Sequence, residues 1–103
     1  MAVIVQVNFP MQGPWGDEMA AAYGTLAESI NDEPGFIWKV WIENETEQSA
    51  GGIYLFEDRA TGQAYVDMHT KRLAGFGITG AEFRMSDTNE ALTALNHGRL
   101  SAS

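Results

Sequence analysis

The sequence contains no cysteine, which excludes disulfide bonds, thiolate nucleophiles and iron–sulfur clusters together. Histidine is almost as scarce, because the chain has only His69 and His97, far apart in the sequence. Asp58, Asp67 and Asp87 are scattered and form no metal-ligand spacing with either histidine. We therefore expect no metal ion and no bound cofactor.

Positive charge is also in short supply. Six basic side chains stand against 14 acidic ones, which gives a net charge of −8. Such a surface repels a phosphate backbone, so we expect no nucleic-acid partner. The apolar runs are far too short to span a bilayer, and no signal-peptide pattern precedes the first strand-like segment. The expectation is a cytoplasmic protein without a membrane partner.

Along the chain, segments in which every second residue is apolar alternate with segments in which apolar residues recur every three to four positions. It predicts strands over residues 2–9, 36–43, 51–57 and 81–87, and helices beginning near residues 17 and 59. Asp58 and Asn89 are typical caps for the second helix and for a short third one. The order β-α-β-β-α-β predicts an α+β fold of the ferredoxin-like type, with a four-stranded antiparallel sheet and both helices on one face. Its 103 residues fit a single domain, 1–103, in which 89–103 form the short C-terminal helix and a tail.

Two predicted strands carry apolar side chains on both faces. In the third strand, Tyr54 and Phe56 alternate with Ile53 and Leu55. The second strand is predicted to place four apolar residues on one side and two on the other: Phe36, Trp38, Val40 and Ile42, against Ile37 and Trp41. A sheet face that the helices leave in water should be polar. A second copy of the sheet is the simplest cover for such a face, so we expect a homodimer.

Four stretches of sequence carry a resemblance to a known family: GPWGD at 13–17, LAESIN at 26–31, EPGFIWKVW at 33–41 and AGGIYLF at 50–56. Shorter matches at 64–65, 69–70 and 72–73 extend it along the second helix. The chain resembles the YdhR family of monooxygenases. The resemblance implies a dimeric α/β-barrel fold, shared with antibiotic-biosynthesis monooxygenases. It also implies a cofactor-independent reaction in which molecular oxygen oxidises a small electron-rich aromatic, a phenol or hydroquinone.

Such chemistry needs a dry pocket, a base and groups that stabilise an anion. We expect His69, Asn8 and Arg72 to act as catalytic residues, with His69 as the base at a pKa below roughly 6.5 because of Arg72. Tyr65, His69 and Arg72 are spaced to share one side of the second helix. The predicted pocket lies between the sheet and that helix, and its substrate-binding residues are Trp38 or Trp41, which point to opposite faces, with Tyr54 and Tyr65. For each aromatic residue, packing is the competing explanation.

Two other functions remain open at this point. Haem-degrading relatives use a strand-one asparagine with a tryptophan and a histidine on the second helix; here that helix has no tryptophan, and His69 falls too early. A non-catalytic dimer that binds a small hydrophobic ligand needs the same apolar pocket as an oxygenase. The sequence does not identify the substrate.

Overall fold

The sheet and helices follow the predicted order. A computed structural model describes residues 1–101, so the last two residues of the predicted tail lie outside the described part. The strands are β1 (Val3–Pro10), β2 (Phe36–Asn44), β3 (Ser49–Phe56) and β4 (Glu82–Asp87); the helices are α1 (Gly16–Ile30), α2 (Arg59–Gly75) and α3 (Glu90–Leu95). All pairings are antiparallel and the strand order is β2-β3-β1-β4. The predicted ferredoxin-like fold is confirmed.

The core lies on the helix-covered face of the sheet. Alternate residues of β1, Val3, Val5 and Val7, are buried there. Tyr54 and Phe56 of β3 pack beside them, as the alternation of β3 predicts. Ile30 ends α1 inside this cluster, and Tyr65 and Leu73 enter it from α2. The core therefore holds α2 tightly against the middle of the sheet.

A β-bulge changes the faces of β2. The register shifts between Phe36 and Trp38, so Phe36 pairs with Phe56 on the helix face. Trp38, Val40 and Ile42 lie on the opposite, open face. The prediction that Phe36 shares a side with those three residues is wrong, because a bulge inserts one unpaired residue and reverses the alternation.

Capping residues set where the later helices begin. The side chain of Asp58 accepts a hydrogen bond from the backbone N–H of Thr61 at 2.8 Å, and Asn89 accepts one from Leu92 at 3.0 Å. Both predicted caps are confirmed. Among residues 1–101, no helix is long and apolar enough to cross a bilayer.

The C-terminal segment returns to the open face. The indole Nε1 of Trp38 donates a 2.8 Å hydrogen bond to the carbonyl of Arg99. Leu55, the β3 neighbour of Trp38, is fully buried although it faces away from the main helices. Val40, two residues further along β2, is 51% exposed. The tail thus covers the part of the open face near Trp38 and leaves an apolar part uncovered.

A glycine lets β1 and β3 approach each other. A methyl group on Gly51 would collide with the backbone carbonyl of Val7, whereas one on Gly24 in α1 would meet nothing within 4 Å. We expect Gly51→Ala to lower the free energy of unfolding by about 2 kcal/mol, because backbone cannot give way as a side chain can. The matched control, Gly24→Ala, should raise it by about 0.5–1 kcal/mol through helix propensity. Urea denaturation measures both, and equal stability of Gly51→Ala and the parent would contradict the packing argument.

Candidate active site

An apolar pocket lies between the helix face of the sheet, α1 and the C-terminal half of α2. Its walls are mainly aliphatic and aromatic: Val7, Phe9, Met11, Met19, Tyr23, Leu26, Lys39, Trp41, Ile42, Ala50, Gly51, Tyr54, His69, Leu73, Phe76 and Ile78. The space open to the centre of a water molecule is about 40 Å³, and the cleft with its open mouth measures about 520 Å³. An apolar cavity of about 150 Å³ holds benzene. The narrow interior therefore has room for a few water molecules, and an aromatic ligand has to displace a wall.

A hydrogen-bonded relay on α2 stands behind one wall of this pocket. The Arg72 guanidinium donates from Nε to His69 Nδ1 at 3.1 Å and from Nη2 to the Tyr65 hydroxyl at 2.8 Å. The Tyr65 hydroxyl in turn donates to that of Tyr54 at 3.2 Å. The imidazole stacks on the Tyr65 ring with centroids 5.1 Å apart. The structure thus brings together Tyr54, Tyr65, His69 and Arg72.

This relay determines where the proton of His69 lies. Guanidinium only donates hydrogen bonds, so Nδ1 is the acceptor and the neutral ring carries its hydrogen on Nε2. His69 is 4% exposed, and burial, with Arg72 and then Lys39 nearby, lowers its pKa to about 3. The imidazole therefore stays neutral at physiological pH, with Nε2–H free to donate and no lone pair free to take a proton.

Burial and the same hydrogen bonds also determine the protonation states of Tyr54 and Tyr65. Burial raises the pKa of Tyr54 and of Tyr65, so both remain protonated. The Tyr65 hydroxyl accepts from Arg72 and gives its hydrogen to the oxygen of Tyr54. In the part of the chain that the structure describes, no group accepts the hydrogen of Tyr54. Tyr54 and His69 thus supply two spare donors to an apolar pocket, an arrangement suited to a phenolic or anionic oxygen.

Lys39 is a site residue that the sequence reasoning missed. It pairs with Tyr54 across β2 and β3, and its Nζ lies 3.3 Å from the centroid of the Trp41 ring and 4.5 Å from that of Tyr54. Burial, with a smaller contribution from Arg72, lowers its pKa to about 7. The sequence did indicate Lys39 indirectly. Residues 39 and 41 of a strand share a face, and Trp41 is itself a predicted pocket residue.

The remaining two candidates lie elsewhere. Asn8 alternates with the buried Val7 and pairs with Gly51 and Glu82, which places it on the open face of the sheet. Trp38 is on that face too, bonded to the C-terminal segment. The sheet separates both residues from His69, so neither lines the predicted pocket. Trp41 does line it, 37% exposed and stacked on Tyr23 at 6.3 Å between centroids.

Carboxylates are conspicuously remote from the pocket. Its lining includes no aspartate or glutamate, and the ion pair between Arg59 and Asp87 lies on the exposed surface. Over residues 1–101, no three histidine, aspartate or glutamate side chains gather as a metal site would require. No carboxylate therefore lines the pocket itself, although Glu33 is near enough to Tyr65 to contribute to the raised pKa of that hydroxyl.

Several solved structures share this fold. A mutant of SnoaB, "a cofactor-independent oxygenase from Streptomyces nogalater", has a TM-score of 0.61 at 15% identity, covering 85% of this chain and 93% of that one. A Deinococcus radiodurans protein described as a "putative antibiotic biosynthesis monooxygenase" has a TM-score of 0.56 at 11% identity, over 86% and 93%. The structural-genomics protein YJCS gives 0.60 at 19%, over 85% and 98%.

At such identities these likenesses show the fold alone. The family follows from the sequence: the family model described as "Putative mono-oxygenase ydhR" matches residues 4–99. The chain belongs to this family. No curated protein matches it.

Proposed function

We propose that the protein is a cofactor-independent monooxygenase that oxidises a small electron-rich phenol or hydroquinone with molecular oxygen. The observation that carries this proposal is the pair of spare donors, Tyr54 O–H and His69 Nε2–H, in an apolar pocket without a carboxylate. Family membership and the oxygenase among the structural neighbours support the reaction type.

The residues take distinct parts in this scheme. His69 and Tyr54 hold the phenolic oxygen and stabilise the charge that develops on it, while Trp41 and the apolar lining pack against the ring. Arg72 and Tyr65 act through them, as positioning residues. The ionised substrate then gives electrons to oxygen: one oxygen atom enters the ring, the other leaves as water, and a quinone results. We propose no part in this pocket for Asn8 or Trp38, because the sheet lies between.

One observation bears on the haem alternative. Nδ1 of His69 accepts from Arg72 and Nε2 carries the hydrogen, so the neutral imidazole has no free lone pair for a haem iron. A non-catalytic binder would use the same pocket, and the oxygen assay below separates it from an oxygenase.

Oxygen uptake with a panel of hydroquinones and anthrone-like phenols tests the function. We expect at least one member to consume oxygen and to take up one labelled atom from ¹⁸O₂. The O-methyl ether of the accepted phenol is the matched control and should not react, because it cannot ionise. Tight binding of phenols without any oxygen uptake would contradict the proposed oxygenase activity and favour the non-catalytic binding function.

We also propose that two copies associate through the open face. Val40 is exposed there, and its β3 neighbour Ile53 is partly buried on the same face. An uncovered apolar sheet face is unfavourable in water, and a second sheet is the occupant that matches it in shape. An interface of the obligate type would bury upwards of roughly 1,500 Å² in total.

For this interface, we expect Val40→Asp to weaken self-association at least about tenfold, because two symmetry-related carboxylates would meet. Light scattering over a dilution series measures the effect. Thr25→Asp, an exposed substitution on the outer surface of α1, is the control and should leave association unchanged. A parent protein that remains a folded monomer at micromolar concentration would contradict the proposal.

The cytoplasm is the compartment that we propose for this reaction. The absence of cysteine means that the fold needs no oxidising environment. Cell fractionation with an antibody against the protein tests it.

A further inference from the structure

The amine of Lys39 lies in an environment that is unusual for a lysine. Among residues 1–101, it makes no hydrogen bond and no ion pair, and it lies instead against the faces of Trp41 and Tyr54. Gly52 provides the space for its stem, because a methyl group there would lie 2.5 Å from Lys39 Cε. The side chain is thus held in place by packing, with its amine directed into the pocket.

The groups that face this amine come from three elements. Tyr54 faces it from β3, and His69 and Arg72 from α2, with Tyr65 behind Tyr54; Tyr23 of α1 shares the pocket lining. None of them is an acid that could hold an ammonium ion permanently. Burial and Arg72 disfavour the charged form, whereas the two aromatic faces favour it. The result is a pKa of about 7, so both forms of the amine are populated at neutral pH.

We propose that Lys39 is the general base that ionises the substrate, and that the pocket consequently holds its aromatic ligand as a phenolate. The inference rests on the proposed function and deepens it. The phenolic proton moves from oxygen to Nζ, so that ArOH and a neutral amine become ArO⁻ and an ammonium ion. The ammonium is stabilised by the Trp41 and Tyr54 rings and by the phenolate itself. The phenolate oxygen meets the two donors, Tyr54 and His69, that the relay leaves free.

This assignment replaces His69 as the base. Nδ1 of His69 is occupied by Arg72 and Nε2 already carries a hydrogen, so the imidazole cannot accept a proton without breaking the relay. Lys39 has a free lone pair whenever it is neutral. A base with a pKa close to the working pH is also the efficient choice for general catalysis.

A phenol whose ionised form is coloured reports the ionisation state of the bound ligand without any turnover. The phenolate of 4-nitrophenol absorbs visible light and the phenol does not. At a pH below the one at which free 4-nitrophenol ionises, we expect the parent protein to bind it as the coloured phenolate. Lys39→Met, which keeps the stem but removes both the base and the positive charge, should bind it without colour. Gly52→Ala should act in the same direction by displacing the stem. Retention of the bound phenolate by Lys39→Met would overturn the inference.

Competitive labelling provides a readout independent of any ligand. The chain has two lysines, Lys39 and Lys71, and Lys71 is exposed on α2. With trace acetic anhydride followed by peptide mass spectrometry, we expect the ratio of Lys39 to Lys71 labelling to be highest at pH 7 and below, and to fall by about 100-fold or more by pH 10. A ratio that does not change with pH would show that Lys39 is an ordinary amine and would overturn the inference.

Turnover then separates this inference from the proposed function. With an accepted phenol at neutral pH, Lys39→Met should be slower by about 100-fold or more, and raising the pH should restore much of the rate, because solvent ionises the substrate instead. Lys71→Met should match the parent. If no phenol consumes oxygen while nitrophenolate still binds through Lys39, the oxygenase fails and the base assignment stands. If oxygen is consumed and Lys39→Met is as fast as the parent, the oxygenase stands and the base assignment fails.

Discussion

Replacing His69 by alanine is expected to lower turnover of an accepted phenol by about 100-fold, the scale of losing one preorganised donor to a developing oxyanion. Glutamine should recover most of the rate. Its side-chain oxygen can accept from Arg72 Nε while its amide N–H donates into the pocket, as the two nitrogens of His69 do. Steady-state kinetics should assign the loss in His69→Ala mainly to kcat, because the interaction strengthens as charge develops.

The same pair of variants tests the protonation state that the relay imposes. Because the pKa of His69 is lowered to about 3, His69 does not titrate between pH 5 and pH 9. The parent and His69→Gln should therefore share one pH profile, rising through about 7 with Lys39. If glutamine is as slow as alanine and the parent profile depends on a group near pKa 6.5, His69 is the base after all. Thermal melts of both variants check that the fold is intact.

The free energy of unfolding is expected to rise by about 4 kcal/mol in all between pH 5 and pH 9.5, in two steps. His69 has a folded pKa of about 3 and an unfolded pKa of about 6.5, so between these values only the unfolded chain binds the proton. Stability then increases with pH, and the interval from pH 5 to 6.5 accounts for about 2 kcal/mol.

The second step comes from Lys39, and it too raises the free energy of unfolding as the pH increases. Its folded pKa is about 7 and its unfolded pKa about 10.4, so the unfolded chain binds more protons in between. The interval from pH 7.5 to 9.5 should add about 2 kcal/mol. Above pH 10 the gain should reverse, since the raised pKa of Tyr54 keeps it protonated only in the folded state.

Urea denaturation at each pH, at one protein concentration, measures the curve. His69→Gln should flatten only the acidic step and Lys39→Met only the alkaline one, so each variant is the control for the other. A parent whose stability falls steadily from pH 7 to 9.5 would show that Lys39 is not desolvated in the folded protein.

The sequence was sufficient to predict the fold for reasons visible in single elements. The alternation of Val3, Val5 and Val7 fixes the buried face of β1, and the cap at Asp58 fixes where α2 begins. From that point the helical period alone places Tyr65, His69 and Arg72 side by side. Local patterns carry these features, so no long-range information was needed.

The errors and omissions arise where long-range geometry decides. No sequence pattern unambiguously indicates the bulge that follows Phe36. The bulge places Phe36 on the face opposite to that of Trp38, Val40 and Ile42. Asn8 could be placed on a face of β1, but periodicity does not say which face the pocket uses. The hydrogen bond from Trp38 to Arg99 joins residues 61 apart. The tautomer of His69 depends on the hydrogen bond from Arg72, and spacing in the sequence does not give its direction.

The narrow interior of the pocket, behind its open mouth, has a consequence for the rate at which ligands bind. Only Met19 and Ile30 of α1 are buried, and the first turn of this helix is tied to β2 by one hydrogen bond, from the N–H of Gly16 to Glu43 Oε1 at 2.9 Å. Helix α1 is therefore the wall that moves most easily when an aromatic ring enters. We expect entry into the narrow interior to be limited by how often this helix moves outward, so association rates should be similar for phenols of similar size whatever their affinity. Differences in affinity should appear in how long each phenol stays once the helix has settled back over it.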